Sequence, residues 1–311
     1  MHRGLYSTQP ACCLYEGVTC GSTPGAADYA NVLSINFDGL SLSGYLPSEI
    51  GNFGSMTTFD VGSNSLSSTI PSTISSMTSL KSLNLRNNFL RGTIPSSVGL
   101  LTSLEALLLF SNSLSGLIPT SLGAIQSLTS LRFNDNALVG TVPSTISALT
   151  NLKELSLDNN RLSGVIPTAF GLLSRLIIFT LHRNSLVGTI PTNIGALLSL
   201  QQLTFADNKL TGTIPLSFGS LTALRRLELS SNALTGTIPG TFSDLSLLNR
   251  LLMDSNFLTM GTAASVPEST FSSATRNGLL ALSNNCLIYV SIENPSHSTL
   301  ATNCKFPTRK Y

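Results

Sequence analysis

A period of 24 residues runs through nearly the whole chain and constrains its fold more than any other feature. Asparagine recurs at nine positions that are 24 residues apart each time, and proline keeps the same spacing. A single short unit cannot bury its own apolar residues, so neighbouring units must cover one another. The period therefore predicts a stack of structural repeats. The recurring asparagines are Asn64, Asn88, Asn112, Asn136, Asn160, Asn184, Asn208, Asn232 and Asn256.

One unit, residues 80–103, reads LKSLNLRNNFLRGTIPSSVGLLTS. Leu83 and Leu85 alternate with polar residues, which is the period of a β-strand, so the leucines are expected to face the core. Asn84 and Arg86 are expected to face outward. Since every unit repeats this pattern, the strands of successive units should lie side by side in a parallel sheet.

The rest of each unit is read in the same way, with residues 80–103 as the example. Asn88 follows the strand, where its amide can bond backbone groups that the turn would otherwise bury unpaired. Gly92 tolerates backbone angles forbidden to other residues, and Pro95 needs no N–H at the bend. The remaining segment is too short for a long helix, so we expect a 3-10 or α turn on the outer side.

The repeat divides the chain into three parts. Residues 1–31 form an N-terminal cysteine-containing cap, and residues 32–256 hold about ten 24-residue repeats. Residues 257–311 form a degenerate last repeat with a C-terminal cysteine cap. An eleventh strand is predicted at Leu280, because Asn285 follows it with the usual offset after a longer unit.

The five cysteines lie only at the two ends of the chain. A stack of repeats exposes two apolar end faces, so this distribution favours disulfide-stapled caps and an oxidising compartment. We pair Cys13 with Cys20 and Cys286 with Cys304, which leaves Cys12 without a partner. A metal site is the rival interpretation, but neither end supplies four ligands at zinc spacing.

The repeat form LxxLxLxxNxLxGxIP resembles the leucine-rich repeats of the plant type, found in receptor-kinase ectodomains and polygalacturonase-inhibiting proteins. The segment CCLYEGVTC, residues 12–20, is similar to their cap motif CCxWxGVxC, with Tyr15 in the tryptophan position. The resemblance implies an α/β solenoid, curved and twisted into a superhelix, with a parallel concave sheet and short turns on the convex side. It also implies a second short sheet at LxGxIP, the same cap disulfides, a bond from Cys12 to an upstream cysteine, and ligands on the concave sheet or its flank.

The chain departs from that family pattern in two respects. The first eleven residues, MHRGLYSTQPA, lack the apolar core of a signal peptide, so we expect the natural start to lie further upstream. No N-x-Ser/Thr acceptor for glycosylation exists, because Pro295 blocks the one candidate at Asn294. The source is therefore expected to be a different eukaryotic lineage or a bacterium.

Composition excludes several classes of function. The net charge is only +2 and basic residues form no runs, so no nucleic-acid partner is expected. The longest apolar stretch, residues 172–181, is broken by Ser174 and Arg175 and is far shorter than the roughly 20 residues of a membrane span. No phosphate-binding glycine loop, zinc motif or calcium loop is present, so we expect no cofactor and no metal.

The first candidate binding site is an apolar pair on one strand. Leu108 and Phe110 occupy outward positions, and Arg86 and Arg132 occupy outward positions on the neighbouring strands. Apolar groups rimmed by guanidinium groups suit a protein or peptide anchor. The alternative is that they are scattered exposed apolar residues, which are common.

The second candidate is a stripe of charged side chains that alternate in sign across successive strands: Asp135, Asp158, His182, Arg183 and Asp207. Such a stripe can read a charged ligand. It can also pair with itself, and each exposed pair then contributes about 0–1 kcal/mol.

Ser156, Asp158 and His182 fall on adjacent predicted strands and are superficially the parts of a nucleophilic triad, which would make the chain an enzyme. The sequence offers no nucleophile elbow and no oxyanion hole, and the three side chains are expected to stand on an open sheet wet by solvent. No catalysis is predicted.

The sequence thus predicts a secreted or cell-surface recognition module that binds a protein or peptide ligand on the concave sheet or its flank. One alternative is a polygalacturonase-inhibitor-like protein. The other is a binder of a polysaccharide or ice lattice, because threonine recurs on the proline side of six repeats, interrupted by Tyr45, Leu117 and Val165. These threonines are Thr69, Thr93, Thr141, Thr189, Thr213 and Thr237.

Overall fold

The computed structural model describes residues 15–21 and 32–259, and the backbone of residues 280–281. They belong to two compact units, Met1–Leu138 and Val139–Tyr311, called here the N-terminal and C-terminal units. Both units are built from the same repeat. Each repeat supplies one strand of a first sheet, one strand of a second sheet and one 3-10 helix.

The first sheet contains the strands predicted from the LxxLxL pattern. In both units neighbouring strands run parallel, and up to Arg250–Leu252 the paired residues are 24 apart, so that Leu83 lies beside Leu107 and Phe179 beside Leu203. The strands of the N-terminal unit are Val32–Asn36, Thr58–Asp60, Ser82–Asn84, Ala106–Leu108 and Ser130–Arg132. Those of the C-terminal unit are Glu154–Ser156, Ile178–Thr180, Gln202–Thr204, Arg226–Glu228, Arg250–Leu252 and Leu280–Ala281.

Two features of the first sheet concern its ends. The eleventh strand predicted at Leu280 is confirmed, with Leu280 in register with Leu251. The strand Val18–Cys20, which the repeat pattern did not predict, pairs antiparallel with Val32–Asn36. It gives the strand Val32–Asn36 a backbone neighbour that the 24-residue period did not predict.

The second sheet, implied by the family resemblance, is also present. Its strands cover the LxGxIP segments, and they too pair in parallel. In sequence order they are Ser43–Tyr45, Ser65–Ser68, Phe89–Thr93, Ser113–Leu117, Ala137–Thr141, Arg161–Gly164, Ser185–Thr189, Lys209–Thr213, Ala233–Thr237 and Phe257–Thr259.

The outer turns are 3-10 helices of five residues, each preceded by the repeat's proline in extended conformation. Only 3-10 helices occur in the part of the chain that the structure describes, because each segment has too few residues for α-helical hydrogen bonds to accumulate. They are Ser48–Asn52, Ser72–Ser76, Ser96–Leu100, Thr120–Ala124, Ser144–Ala148, Thr168–Leu172, Thr192–Ala196, Leu216–Ser220 and Gly240–Asp244.

The core lies between the two sheets and the 3-10 helices, and it is filled by the inward residues of every repeat. Leu83 and Leu85 are buried, as are their counterparts in the repeats from Phe59 to Met253, whereas Ile35 and Phe37 of the first repeat are partly exposed. In the C-terminal unit Phe179 packs between Phe170 and Phe205, with the Phe205 ring edge-on at a centroid distance of 5.0 Å. This core is continuous within each unit because each repeat covers the apolar face of the next.

The side-chain amide of the recurring asparagine forms hydrogen bonds with the backbone of the turn. Asn88 donates through Nδ2 to the carbonyls of Val61, Leu85 and Arg86 at 3.0–3.2 Å, and its Oδ1 accepts the N–H of Leu66 at 2.9 Å. One side chain thus joins two repeats. The same four contacts are made by Asn64, Asn112, Asn136, Asn184, Asn208, Asn232 and Asn256. Asn160 donates to the carbonyls of Leu157 and Asp158.

Cys20 is the one cysteine among the described residues, and it is disulfide-bonded. Cys12, Cys13, Cys286 and Cys304 lie outside the described residues, so the proposed pairing stays a prediction.

Candidate ligand-binding surface

The outward face of the first sheet is less open than the sequence suggested. Asn84, Ser156 and Thr180 are buried although they point away from the core, and Thr204 has no exposed surface at all. Strands in a sheet are about 4.8 Å apart, so larger side chains on adjacent strands cover short ones. The expectation that Ser156 stands on an open sheet wet by solvent was therefore wrong.

Leu108, Phe110 and Arg132 form the most distinctive apolar feature of this face in the N-terminal unit. Leu108 lies directly beside Arg132 in the parallel register, and both side chains are partly exposed. The Arg132 guanidinium carbon stands 4.2 Å from the centroid of the Phe110 ring. A cation over an aromatic face in this geometry contributes about 0.5–1 kcal/mol at exposed sites. The contact therefore holds both side chains in one arrangement before any ligand arrives.

Asn134 lies 24 residues after Phe110, at the equivalent outward position of the next repeat, and is nine-tenths buried. Its Nδ2 donates to Asp135 Oδ2 at 2.7 Å, which fixes the orientation of the amide, because a flipped amide would place two oxygens together. Asn134 Oδ1 has no hydrogen-bond partner among the described residues. The repeat after Phe110 therefore presents a buried oxygen, Asn134 Oδ1, whose capacity to accept a hydrogen bond is unused.

Arg86 does not rim Phe110. Its Nη2 donates to Asp38 Oδ2 at 2.8 Å, and its Nη1 lies 3.9 Å from Asp60 Oδ2. Asp60 also accepts from Asn84 at 2.9 Å. Arg86 is thus turned toward the earlier repeats, where two carboxylates balance its charge.

In the C-terminal unit, Asp158 and His182 are paired, with 3.5 Å between Asp158 Oδ2 and His182 Nε2. The Thr180 hydroxyl donates to Asp158 Oδ1, and His182 Nδ1 lies 3.2 Å from Thr204 Oγ1. Four side chains from three adjacent strands therefore form one polar chain. The residues Thr180 and Thr204 were missed as partners, although their place in the neighbouring column makes them the nearest hydroxyl groups.

This arrangement is not a nucleophilic triad. Both nitrogens of the His182 ring face other groups, Asp158 on one side and Thr204 on the other. The Ser156 hydroxyl instead donates to Glu154 Oε1 at 3.4 Å. His182 is therefore not placed to take the proton of Ser156, which is the first geometric requirement of a serine–histidine triad.

Two further members of the charged stripe, Arg183 and Asp207, also contact each other, whereas Asp135 accepts from Asn134. Arg183 Nε lies 3.8 Å from Asp207 Oδ2, with side chains 66% and 50% exposed. At that exposure the pair contributes little to stability. Both groups remain open to solvent.

Glu228, which sequence reasoning did not single out as a site residue, is the most densely bonded charge on the face. One oxygen, Oε1, accepts from Arg226 Nε at 2.9 Å, from Arg226 Nη2 at 2.8 Å and from Arg250 Nε. Burial raises the pKa of Glu228, but hydrogen bonds and charge from the two arginines outweigh it and leave the pKa below 4.5. The signal in the sequence was an arginine at the same offset in two successive repeats.

No group of three or more histidine, cysteine or acidic residues that could hold a metal ion occurs among residues 15–21 and 32–259. Within the described residues, the structure also contains no helix of the length and apolarity that a membrane span requires.

A family model described as leucine rich repeat matches residues 54–114, 126–186 and 198–258, which together make up more than half of the chain. The chain belongs to the leucine-rich repeat family. No curated protein matches it.

Solved leucine-rich repeat structures from plants are similar to this chain. The ectodomain of the membrane receptor kinase GASSHO1/SCHENGEN3 from Arabidopsis thaliana, in complex with CASPARIAN STRIP INTEGRITY FACTOR 2, is 37% identical with a TM-score of 0.83; the match covers 89% of this chain and 32% of the receptor chain. The Arabidopsis receptor kinase HAESA, in complex with the peptide hormone IDA and the co-receptor SERK1, is 31% identical with a TM-score of 0.74, over 91% and 50%. This chain therefore spans half or less of these receptor chains.

A plant ice-binding protein is 24% identical with a TM-score of 0.70, over 90% of this chain and 87% of its own. This likeness shows the shared leucine-rich repeat fold alone.

Proposed function

We propose that this leucine-rich repeat chain is a non-catalytic recognition module, outside the cell or at its surface, that binds a peptide or an extended protein segment. The proposed site, called the Phe110 patch, consists of Leu108, Phe110, Arg132 and Asn134 on the outward face of the first sheet. The observation that carries it is the stack of the Arg132 guanidinium on the Phe110 ring at 4.2 Å.

The composition of the Phe110 patch supports a protein or peptide partner. Aromatic and arginine side chains dominate the binding energy of protein interfaces because they offer large contact areas. The stack on Arg132 limits the rotamers of Phe110, so less conformational entropy is lost when a ligand covers the ring. Leu108 adds apolar area beside it, and the free acceptor of Asn134 suits an N–H donor at the edge of a ligand.

The similar proteins support the same class of ligand. GASSHO1/SCHENGEN3 and HAESA were solved with CASPARIAN STRIP INTEGRITY FACTOR 2 and the peptide hormone IDA, respectively. Both are ectodomains or receptors of plant cells, and the disulfide at Cys20 fits an oxidising compartment. A small peptide would need only part of one unit.

Selection of peptides from a displayed random library tests the proposal. The wild-type chain should enrich peptides with apolar or aromatic residues, and Phe110→Ser should raise the Kd of those peptides tenfold or more, equal to about 1.4 kcal/mol. Arg132→Ala should weaken binding as well, since it also frees the Phe110 ring. Isothermal titration measures each Kd.

Leu117→Ser is the matched control, because Leu117 is an equally large apolar residue that is 65% exposed on the second sheet. It should leave every Kd unchanged. If the selected peptides bind Phe110→Ser as tightly as the wild type, or if no peptide is enriched, the Phe110 patch is not the binding site.

A second candidate function rests on the exposed face of the second sheet in the C-terminal unit. Two columns of short side chains run across its strands, and all but Ser163 are exposed, while Ser163 is partly exposed. The paired residues of neighbouring strands are 22 apart, so a residue of one column lies beside a residue of the other, as Thr189 beside Thr211 and Thr213 beside Thr235, at a strand spacing of about 4.8 Å. A surface with such regular groups suits an ordered lattice such as ice. The columns are Val139, Ser163, Val187, Thr211, Thr235 and Thr259, and Thr141, Val165, Thr189, Thr213 and Thr237.

Inhibition of ice recrystallisation tests this second candidate. A bulky side chain in the middle of the columns, Thr213→Tyr, should abolish inhibition by breaking the flat surface, whereas Phe110→Ser should not affect it. Absence of inhibition by the wild type at concentrations well above those of known ice-binding proteins would exclude the lattice function.

A further inference from the structure

Two arginines on adjacent strands of the C-terminal unit share one glutamate. Arg226 and Arg250 face each other directly in the parallel register, and Glu228 lies two residues after Arg226 on the same strand. Both arginines approach the same carboxylate oxygen, Oε1. The two guanidinium groups are therefore held side by side by a single acceptor.

The three side chains differ in burial in a way that exposes the cationic parts. The Glu228 side chain is 10% exposed, whereas those of Arg226 and Arg250 are 40% and 37% exposed. Glu228 accepts hydrogen bonds from Nε and Nη2 of Arg226 and from Nε of Arg250. The Arg226 Nη1 group and both Nη groups of Arg250 have no hydrogen-bond partner among the described residues.

The charge of this cluster is unbalanced. Two guanidinium groups and one carboxylate leave one positive charge, and the exposed Arg225 stands one residue before Arg226. The hydrogen bonds and charge of the arginines, which outweigh the effect of burial, lower the pKa of Glu228, so its carboxylate stays ionised at neutral pH. Glu228 thus orients the arginines without neutralising both of them.

We infer that Arg226 and Arg250 form a binding site for an oxyanion group of a ligand, with Glu228 as the positioning residue beneath them. Guanidinium N–H groups donate charge-assisted bonds to carboxylate, sulfate and phosphate oxygens, and two guanidinium groups in fixed positions can grip one such group together. The site lies in the C-terminal unit and does not depend on the Phe110 patch.

Arginine side-chain NMR tests the inference on the full chain. With 15N-labelled arginine, the Nε–H signals of Arg226 and Arg250 should shift and saturate with one common Kd when sodium sulfate, sodium phosphate or sodium acetate is added. Sodium chloride at the same ionic strength should not reproduce the shift. Tighter binding of acetate would identify a carboxylate ligand, and tighter binding of sulfate or phosphate would identify a tetrahedral one.

Single variants distinguish a specific oxyanion-binding site from a general attraction of anions to positive charge. Arg250→Gln should raise the Kd read at Arg226 tenfold or more. Arg161→Gln is the matched control, because Arg161 is an exposed arginine on the second sheet of the same unit, and it should leave the Kd unchanged. Shifts that rise linearly without saturation, or equally at Arg161, would mean that an adventitious ion only is attracted, and would overturn the inference.

Glu228→Gln tests the positioning role separately. Removing a negative charge strengthens anion attraction if charge alone matters, so a pure charge effect predicts a lower Kd. The positioning role predicts a higher Kd, because the two guanidinium groups lose their common anchor and reorient. A lower Kd for Glu228→Gln would contradict the role assigned to Glu228. The same spectra show whether the variant is folded.

Discussion

Arg86 and Asp38 are joined by a 2.8 Å hydrogen bond although they are 48 residues apart in sequence. The side chain of Arg86 crosses the intervening repeat at Gly62. A Cβ atom added to Gly62 would lie 2.9 Å from both Arg86 Nη1 and Asp38 Oδ1. The missing side chain in the middle repeat is therefore what allows this long-range ion pair to form.

Arg86→Ala should lower the free energy of unfolding by about 0.5–1 kcal/mol at low ionic strength, because it removes a partly exposed pair. In about 1 M salt, where charges are screened within about 3 Å, the difference should nearly vanish. Urea denaturation at the two salt concentrations measures both values. Binding of peptides to the Phe110 patch should be unchanged, and a loss of binding would show that Arg86 belongs to that patch.

The period of 24 residues was sufficient to predict the strands, their parallel register and the outer turns, because these depend on local pattern alone. It could not predict where long side chains go. Arg86 and Arg132 occupy similar outward positions, yet Arg132 covers Phe110 while Arg86 reaches Asp38. The difference arises from the residues nearby: the Phe110 ring is within reach of Arg132, whereas Gly62, at the equivalent position one repeat before Arg86, leaves room for the Arg86 side chain to reach Asp38. The direction of a long side chain therefore depends on which residues stand near it on neighbouring strands, and the repeat pattern does not specify those residues.

The main error of the sequence-based prediction was to treat outward residues as exposed. This error also arises because the contacts between side chains on neighbouring strands were unknown. Thr204 is buried, and its neighbours include His182, whose Nδ1 lies 3.2 Å from the Thr204 hydroxyl. The pairing of Asp158 with His182 could be expected from adjacency, since both stand in one column on adjacent strands. The shared carboxylate of Glu228 required knowledge of side-chain direction in two strands at once.

Asn136→Ala should destabilise the fold by about 1–3 kcal/mol, because three carbonyls and the N–H of Leu114 lose their partner. Asn136→Asp, which keeps the shape but loses the donors, should cost a comparable amount. Ser156→Ala is the control and should be nearly neutral, since the Ser156 hydroxyl makes only a 3.4 Å contact. Denaturation midpoints compare the three variants, and equal midpoints for Asn136→Ala and Ser156→Ala would contradict the structural role of the asparagine.

Arg183→Asn should stabilise the protein by about 0.5–1 kcal/mol. Arg183 has a positive φ of 53°, in the left-handed region, whereas the equivalent positions of other repeats carry glycine, serine, asparagine or aspartate. Asparagine tolerates this region better than arginine because its short side chain bonds locally. The exposed pair with Asp207 is too weak to offset the gain. Thermal melts measure the change, and a lower midpoint would indicate that Arg183 has a contact worth more than the backbone strain.

Ser68→Gly should also stabilise the fold, and adding a side chain at the equivalent glycine of another repeat should destabilise it. Ser68 has a φ of 75° where the other repeats have glycine. Gly92→Ala should cost about 1–3 kcal/mol, because its φ is 79° and the added Cβ would meet Thr69 Cγ2 at 2.8 Å. Melts of the two variants should therefore move in opposite directions, and a shift of both to lower temperature would contradict this account.

Glu228→Gln should reduce stability by about 1–3 kcal/mol at pH 7, since it removes charged hydrogen bonds from two arginines. The pKa of Glu228 in the folded protein lies below 4.5, because the arginines outweigh the opposing effect of burial. The folded state therefore binds protons less readily than the unfolded chain. The stability due to the carboxylate is complete above about pH 4.5 and is lost as the pH falls through the lowered pKa.

The difference between wild type and Glu228→Gln should accordingly be constant from pH 7 to pH 5, shrink below pH 4.5 and disappear at the lowest pH at which the protein still folds. Urea denaturation at each pH gives the two curves. Glu105→Gln serves as the control, because Glu105 is exposed and contacts only Lys81 at 3.5 Å, so its effect should be small throughout. A difference for Glu228→Gln that persists unchanged at acidic pH would mean that shape, and not the ionised carboxylate, holds the two arginines in place.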